Sequence, residues 1–212
     1  MDEFKLGRPA LVCRWRLANK QLPLQNRHLR ALAARRVNDQ KISPALVAWA
    51  KQHVEWTLEE AATQHPDGVL MLVVDTEGKA AMSLGEYRPL KHVSANDLVL
   101  RATSSRREAT HTGVSPEDLW IVRGDALVWG KDSFCAPSGA CTLVDDLART
   151  LGMPVRRDED LLDRISIRGV TNEEVFLVSD EHGVVPASDH MGPRSQKFAA
   201  GYAKLLTTKR AR

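Results

Sequence analysis

One short run in this 212-residue chain, Ser138-Gly139-Ala140-Cys141-Thr142, has the composition to meet an oxyanion. It opens a predicted helix, where the first backbone N–H groups lack intrahelical partners and the macrodipole favours negative charge. Small side chains let a phosphate come close to that backbone. The same run also reads as an ordinary loop and helix cap, and its composition alone does not separate the two. His28, His92, His111, His182 and His190 are each acid–base candidates by residue type, but they stand singly, as surface or structural histidines also do. Cys135 and Cys141 are six positions apart, and no Cys or His pair has the short spacing of a zinc site, so no metal is expected. The phosphate loop Gly-x-x-x-x-Gly-Lys-Ser/Thr, the dinucleotide fingerprint Gly-x-Gly-x-x-Gly and the nucleophile elbow Gly-x-Ser-x-Gly are all missing.

Composition narrows the class. The chain is 43% hydrophobic and 27% charged, with a formal net charge of +3, as expected for a globular protein able to bury a core. The charge excess is too small to imply nucleic acid by itself. Part of it comes from Lys209-Arg210-Ala211-Arg212, which reads as a solvated tail. Three cysteines and the amino-terminal Met1-Asp2-Glu3-Phe4-Lys5, which does not look like an export signal, point to a reducing compartment and a cytoplasmic location. The longest apolar run, Val69 to Val74, is the length of a strand rather than the roughly 18 to 20 residues of a membrane span.

The elements that must position these residues follow from periodicity. Leu11, Cys13, Trp15 and Leu17 alternate with polar or smaller neighbours and predict a half-buried strand over 10–17, followed by a turn at Asn19-Lys20 and an extended Leu22-Pro23-Leu24. A helix is predicted over 27–37, and a second over 44–64, capped by Ser43 with Pro44 in its first turn. Val69–Val74, Thr76-Glu77-Gly78 and Lys79–Leu84 predict a hairpin. A helix over 97–109 precedes a second hairpin, Leu119–Val122 with Ala126–Trp129. A helix from Thr142 to Leu151 carries a Thr142/Asp145 capping box and is closed by Gly152 and Pro154. A third hairpin joins Val175–Val178 to Val184-Val185, and a last helix spans about 195–206. The five tryptophans fit core faces better than a stacking platform. The order is that of an α+β fold with mixed or antiparallel sheets, divided into a small N-terminal lobe, 1–90, and a larger C-terminal lobe, 91–212.

Several segments resemble, in order, the fold-type IV pyridoxal-phosphate-dependent family (the class IV aminotransferases), nearest to 4-amino-4-deoxychorismate lyase. Leu22-Pro23-Leu24 … Arg27-His28-Leu29-Arg30-Ala31-Leu32 is similar to its opening turn and "His-Leu-x-Arg-Leu" helix. Leu90-Lys91-His92-Val93-Ser94 resembles the "Leu-Lys-Thr-x-Ser/Asn-Tyr" stretch, and Pro137-Ser138-Gly139-Ala140 … Leu151-Gly152-Met153-Pro154-Val155 the "Pro-Gly-x-Thr … Leu-Gly-x-x-Val" unit. Glu173-Glu174-Val175-Phe176-Leu177-Val178-Ser179 … Gly183-Val184-Val185-Pro186 resembles "Asp-Glu-Val-Phe-Leu-Thr-x-Ser … Gly-Val-x-Pro", the most specific of the matches.

The resemblance implies a two-lobed architecture and a homodimer. It also implies a lyase acting on an aminodeoxychorismate-like substrate, or an aminotransferase acting on an amino acid. Lys91 would carry pyridoxal 5'-phosphate as an imine and shuttle the substrate proton, with the cofactor ring as electron sink. Ser138, Gly139, Ala140 and Ser179 would cradle the phosphate, with charge added by Arg30, although the family's arginine aligns with Ala31. His92, beside Lys91, is the histidine to watch. The family's ring-nitrogen carboxylate falls at or near Trp129 here, with no acid following until Asp132, and the loop 130–138 is shorter than the family's. Those departures admit a second reading, a degenerate homologue that keeps the fold as a binding or scaffolding protein. A third, a nucleic-acid binder using the arginines of 27–36 and 101–107, lacks a recognition motif.

Overall fold

The computed structural model describes residues 5–207; the amino-terminal Met1-Asp2-Glu3-Phe4 and the basic end 208–212 lie outside them. The first apolar alternation forms β1 (Pro9–Arg16). It is followed by α1 (Gln25–Ala34), the short strands β2 (Arg36–Val37) and β3 (Gln40–Lys41), and α2 (Pro44–Ala61). The hairpin β4 (Val69–Asp75) and β5 (Ala80–Gly85) completes a three-stranded antiparallel sheet of order β1-β4-β5. Cys13 lies opposite Leu72 and Trp15 opposite Leu70, so one face gathers Leu11, Cys13, Trp15, Leu70, Leu72 and Val74. Leu29 and Leu32 of α1 and Ala50 and Val54 of α2 cover that face. The period of two turns the opposite set, Val12, Arg14 and Met71 among it, toward the rest of the chain.

The remainder builds a second sheet. α3 (Ala95–Thr112) leads to β6 (Glu117–Arg123), β7 (Ala126–Gly130), α4 (Gly139–Thr150), β8 (Val155–Arg157) and α5 (Leu161–Arg168). Then come β9 (Glu174–Ser179), β10 (Gly183–Pro186) and α6 (Pro193–Thr207). The five strands run β10-β9-β6-β7-β8, antiparallel except for the parallel β7–β8 pair. Both faces are covered, which is why β6, β7 and β9 read as nearly continuous apolar runs. Leu119, Ile121, Val128, Val175 and Leu177 pack against Leu98 of α3 and Leu161 of α5. On the other face Trp120, Trp129, Phe176 and Val178 meet Val144 of α4 and Phe198 of α6.

The expected order of strands, hairpins and helices is present, with local corrections. The predicted helix over 27–37 stops at Ala34, because Asn38 and Asp39 both adopt left-handed φ (50° and 60°) and turn β2 back on β3. Asn and Asp tolerate that conformation better than other non-glycine residues. Pro23-Leu24 is a turn rather than part of an extended segment, and Leu24 itself takes φ 60° at the start of α1. α4 begins three residues before Thr142: Ser138 is its cap, and the Thr142 hydroxyl donates to the Gly139 carbonyl instead. β8 and α5 had no predicted counterpart. Trp15, Trp120 and Trp129 are core residues, Trp49 is half-buried, and Trp56 is exposed on α2. No helix among the described residues is long and apolar enough to cross a membrane, and all three cysteines are free and buried.

α3 carries much of what faces the inter-sheet space, and its start is fixed by a reciprocal cap. The Ser94 hydroxyl accepts from the Asp97 N–H, while the Asp97 carboxylate accepts from the Ser94 N–H and hydroxyl. Ser94→Ala is therefore expected to lower stability by about 1 kcal/mol in urea denaturation, with an unchanged denaturant slope.

Candidate functional site

The outward face of the three-stranded sheet does not close on the five-stranded one. A cavity of about 380 Å³ remains, lined by Val12 and Arg14 of β1, Arg35, residues of α3 and β6, and the β9–β10 turn. A neighbouring pocket of about 430 Å³ shares Arg14, Arg101 and Glu181 with it and reaches Met71 and Leu84. Three arginines converge here, each facing an acid. Arg101 of α3 donates to Glu117 at 2.7 Å, and Arg14 lies 3.4 Å from Glu181. Arg35 is almost entirely buried, yet its only side-chain hydrogen bond among the described residues is a long one, 3.4 Å to Glu108. Burial pushes the Glu108 carboxyl up, opposed by the Arg35 guanidinium. A cavity with this mixture of donors and acceptors suits a small polar molecule.

The turn between β9 and β10 supplies the remaining chemistry. Ser179 is fully engaged: its hydroxyl donates to Glu117 at 3.0 Å and accepts from the N–H groups of Glu181 and His182. The His182 side chain is largely buried between this region and a pocket beside Tyr87 and Tyr202. Burial pulls its pKa down, with Glu181 opposing, so the ring stays neutral near neutral pH.

Asp180, next in the chain, is only 4% exposed and points to the start of α4. Its Oδ1 accepts from the Ala140 N–H at 2.7 Å, and its Oδ2 lies 3.5 Å from His28 Nδ1, a polar contact too long to count as a good hydrogen bond. His28 is buried, stacked on Trp15 at 5.3 Å. Burial raises the Asp180 carboxyl, but the His28 imidazole, the Ala140 N–H and Arg35 outweigh it and hold the carboxyl below its ordinary value.

Of the residues expected to form a phosphate cradle, Ser138, Gly139 and Ala140 open α4 and Ser179 precedes the carboxylate seated there, so that position is filled. Ser138 is buried and caps α4 through Cys141 N–H, while Thr142 N–H bonds the Ser138 carbonyl. Ala140 N–H is taken by Asp180. Gly139 packs so closely on α1 that a Cβ there would stand 2.6 Å from His28 Nδ1. Arg30 lies away from the cavity, exposed on α1 with its Nε on the Asn26 carbonyl. The arginine beside the cavity is Arg35, four residues beyond Ala31. Lys91 sits exposed between β5 and α3, makes no side-chain hydrogen bond or ion pair among the described residues, and does not line the cavity. His92 is exposed beside it. Trp129 is core, stacked on Trp120 and bonded through Nε1 to Asp118, so it offers no acid to a cofactor. As arranged, these residues do not fit pyridoxal phosphate: its phosphate would meet a buried carboxylate, and no lysine lines the cavity.

Asp180, Arg35 and Glu117 were not singled out as site residues by sequence, and His182 was named only as one of five single histidines. The one available signal was the position of Asp180, where "Leu-Thr-x-Ser" becomes Leu177-Val178-Ser179-Asp180.

No protein-family model matches the chain, and no curated protein matches its sequence. Solved structures do match its fold. A hypothetical aminotransferase from Mycobacterium tuberculosis in its PLP-bound form superposes with a TM-score of 0.64 at 12% identity, covering 97% of this chain and 94% of that one. The branched-chain amino acid aminotransferase of Escherichia coli gives 0.61 at 13% identity, covering 97% and 91%. A 4-amino-4-deoxychorismate lyase from Pseudomonas aeruginosa gives 0.56 at 17%, covering 92% and 90%. The chain has the α+β fold of these fold-type IV proteins.

The depressed carboxyl sets a pH dependence. A group whose folded pKa lies below its unfolded value contributes stability above the ordinary aspartate range, and that contribution is lost as pH falls through the folded value. Wild type is expected to exceed Asp180→Asn in stability at neutral pH, with the gap closing as pH falls below about 4 in paired urea titrations.

Proposed function

We propose that this chain uses the fold-type IV architecture as a non-catalytic, small-molecule-binding protein, with the ligand held in the cavity between its two sheets. The observation that carries this reading is the cavity's composition. It presents Arg14, Arg35 and Arg101 with Glu108, Glu117 and Glu181, and no lysine to form an imine. A molecule carrying both acidic and hydrogen-donating groups, amino-acid-like in size, would find partners on both walls. We divide the chain into lobes at residue 90, and place the protein in the cytoplasm as a homodimer. The three free cysteines support the location, and the implied dimer is open to light scattering.

A second reading keeps the pyridoxal-phosphate-dependent lyase or aminotransferase, with Lys91 as the attachment point. It is favoured by the fold neighbours, two of which are PLP-bound forms, and by the accessibility of the Lys91 amine. In that reading Ser138, Gly139, Ala140 and Ser179, with Arg30 or Arg35, would have to rearrange around the phosphate.

The absorbance spectrum of purified protein, with and without added pyridoxal phosphate, decides between them. The binding-protein reading expects no visible band in either sample. It also expects Lys91→Ala to leave stability within about 0.5 kcal/mol of wild type, as for other exposed side chains. A yellow protein whose colour disappears in Lys91→Ala would overturn it in favour of the enzyme.

A further inference from the structure

The amino terminus of α4 is built as an anion site, and it already holds an anion that belongs to the chain. Its dipole and first N–H groups favour negative charge. The Asp180 carboxylate supplies that charge from the β9–β10 turn, seated on the Ala140 N–H at 2.7 Å and facing the buried His28 of α1. Asp180 also lines the 380 Å³ cavity, and its carboxylate occupies the helix terminus beside it.

We infer that Asp180 is a specificity-determining residue: it is the resident anion of the α4 terminus and excludes phosphorylated ligands from the inter-sheet cavity. A phosphate entering beside it would bring two like charges into contact in a poorly solvated place, where charges repel strongly. It would also find the amides of Ala140, Cys141 and Thr142 already bonded. A phosphate can therefore seat on the α4 terminus only where the carboxylate is removed. The cavity selects small polar molecules without a phosphate group, which narrows the ligand class proposed above and rests on that reading for the cavity's use. The exclusion itself stands on the Asp180 geometry.

Truncation of the side chain tests this directly. Asp180→Ser and Asp180→Ala delete the charge and open the Ala140 N–H to the cavity, with circular dichroism and a cooperative thermal transition confirming the fold. Calorimetric titration with inorganic phosphate is expected to show no saturable binding to wild type in the millimolar range. The folded variants are expected to bind at least about tenfold more tightly, with sulfate competing. Wild type that binds phosphate as tightly as the variants overturns the inference, and so do folded variants as blind to phosphate as wild type. Should neither variant fold, saturable phosphate binding to wild type still refutes the exclusion, and Asp180→Asn, which removes the charge and keeps the side-chain shape, then stands in for the truncations under the same two outcomes. Inorganic phosphate cannot form an imine. A yellow holoprotein would therefore defeat the binding-protein reading without deciding this one, and phosphate-blind variants would defeat this one alone.

Discussion

A buried carboxylate joins the parts of this protein. The Asp180 side chain reaches the first turn of α4 and the His28 ring of α1, while its backbone carbonyl accepts from the Arg16 N–H at the end of β1. The three-stranded sheet, its covering helix, and the helix and hairpin of the larger sheet all meet at one residue. A charge taken so far from water is tolerated only when hydrogen-bond donors and opposing dipoles surround it. The structure meets that requirement by directing a helix terminus at the carboxylate. Gly139 is needed for the same reason, since any larger residue would push α1 away from α4.

The geometry around that point explains why the cavity is polar yet balanced. Several of the arginines that might have formed a basic patch are committed to a carboxylate or to the backbone. Arg27 pairs with Asp146, Arg101 with Glu117, Arg106 with Asp163, and Arg30 turns back on its own helix. Such exposed pairs contribute little stability one by one, but they remove the continuous field that a nucleic-acid surface uses. Beneath the larger sheet a second carboxyl, Asp118, is pushed up by burial and accepts from the Trp129 indole and the Cys141 thiol. That arrangement binds β6, β7 and α4 together, and it accounts for Trp129 standing where the family resemblance would place an acid.

Much of the framework was legible from the residues themselves. The alternation of Leu11, Cys13 and Trp15, the hairpins around Thr76-Glu77-Gly78 and Arg123-Gly124-Asp125, and the Ser43-Pro44 helix start are local patterns, set by side-chain period and turn chemistry. The errors were local as well. Asn38-Asp39 ends α1 early because both residues accept left-handed backbone, a signal that a helical apolar stripe obscures. β8 and α5 were missed because three residues of strand and eight of helix carry too little periodicity.

The sequence by itself determined the α+β class and the order of most of its elements, and it offered the run Ser138 to Thr142 as the start of a helix with the composition to meet an anion. These depend on neighbours a few residues apart. Which anion that terminus receives was decided only by the tertiary structure. Asp180 lies forty residues from Ala140 and 152 from His28 along the chain, and only the pairing of β9 with β6 and the packing of α1 on α4 bring the three together. For the same reason Lys91, whose neighbours suggested a cofactor, stands outside the cavity, while Arg35, which no motif marked, stands inside it. A short motif records what a backbone segment can hold; the space it faces is set by residues far away in the chain.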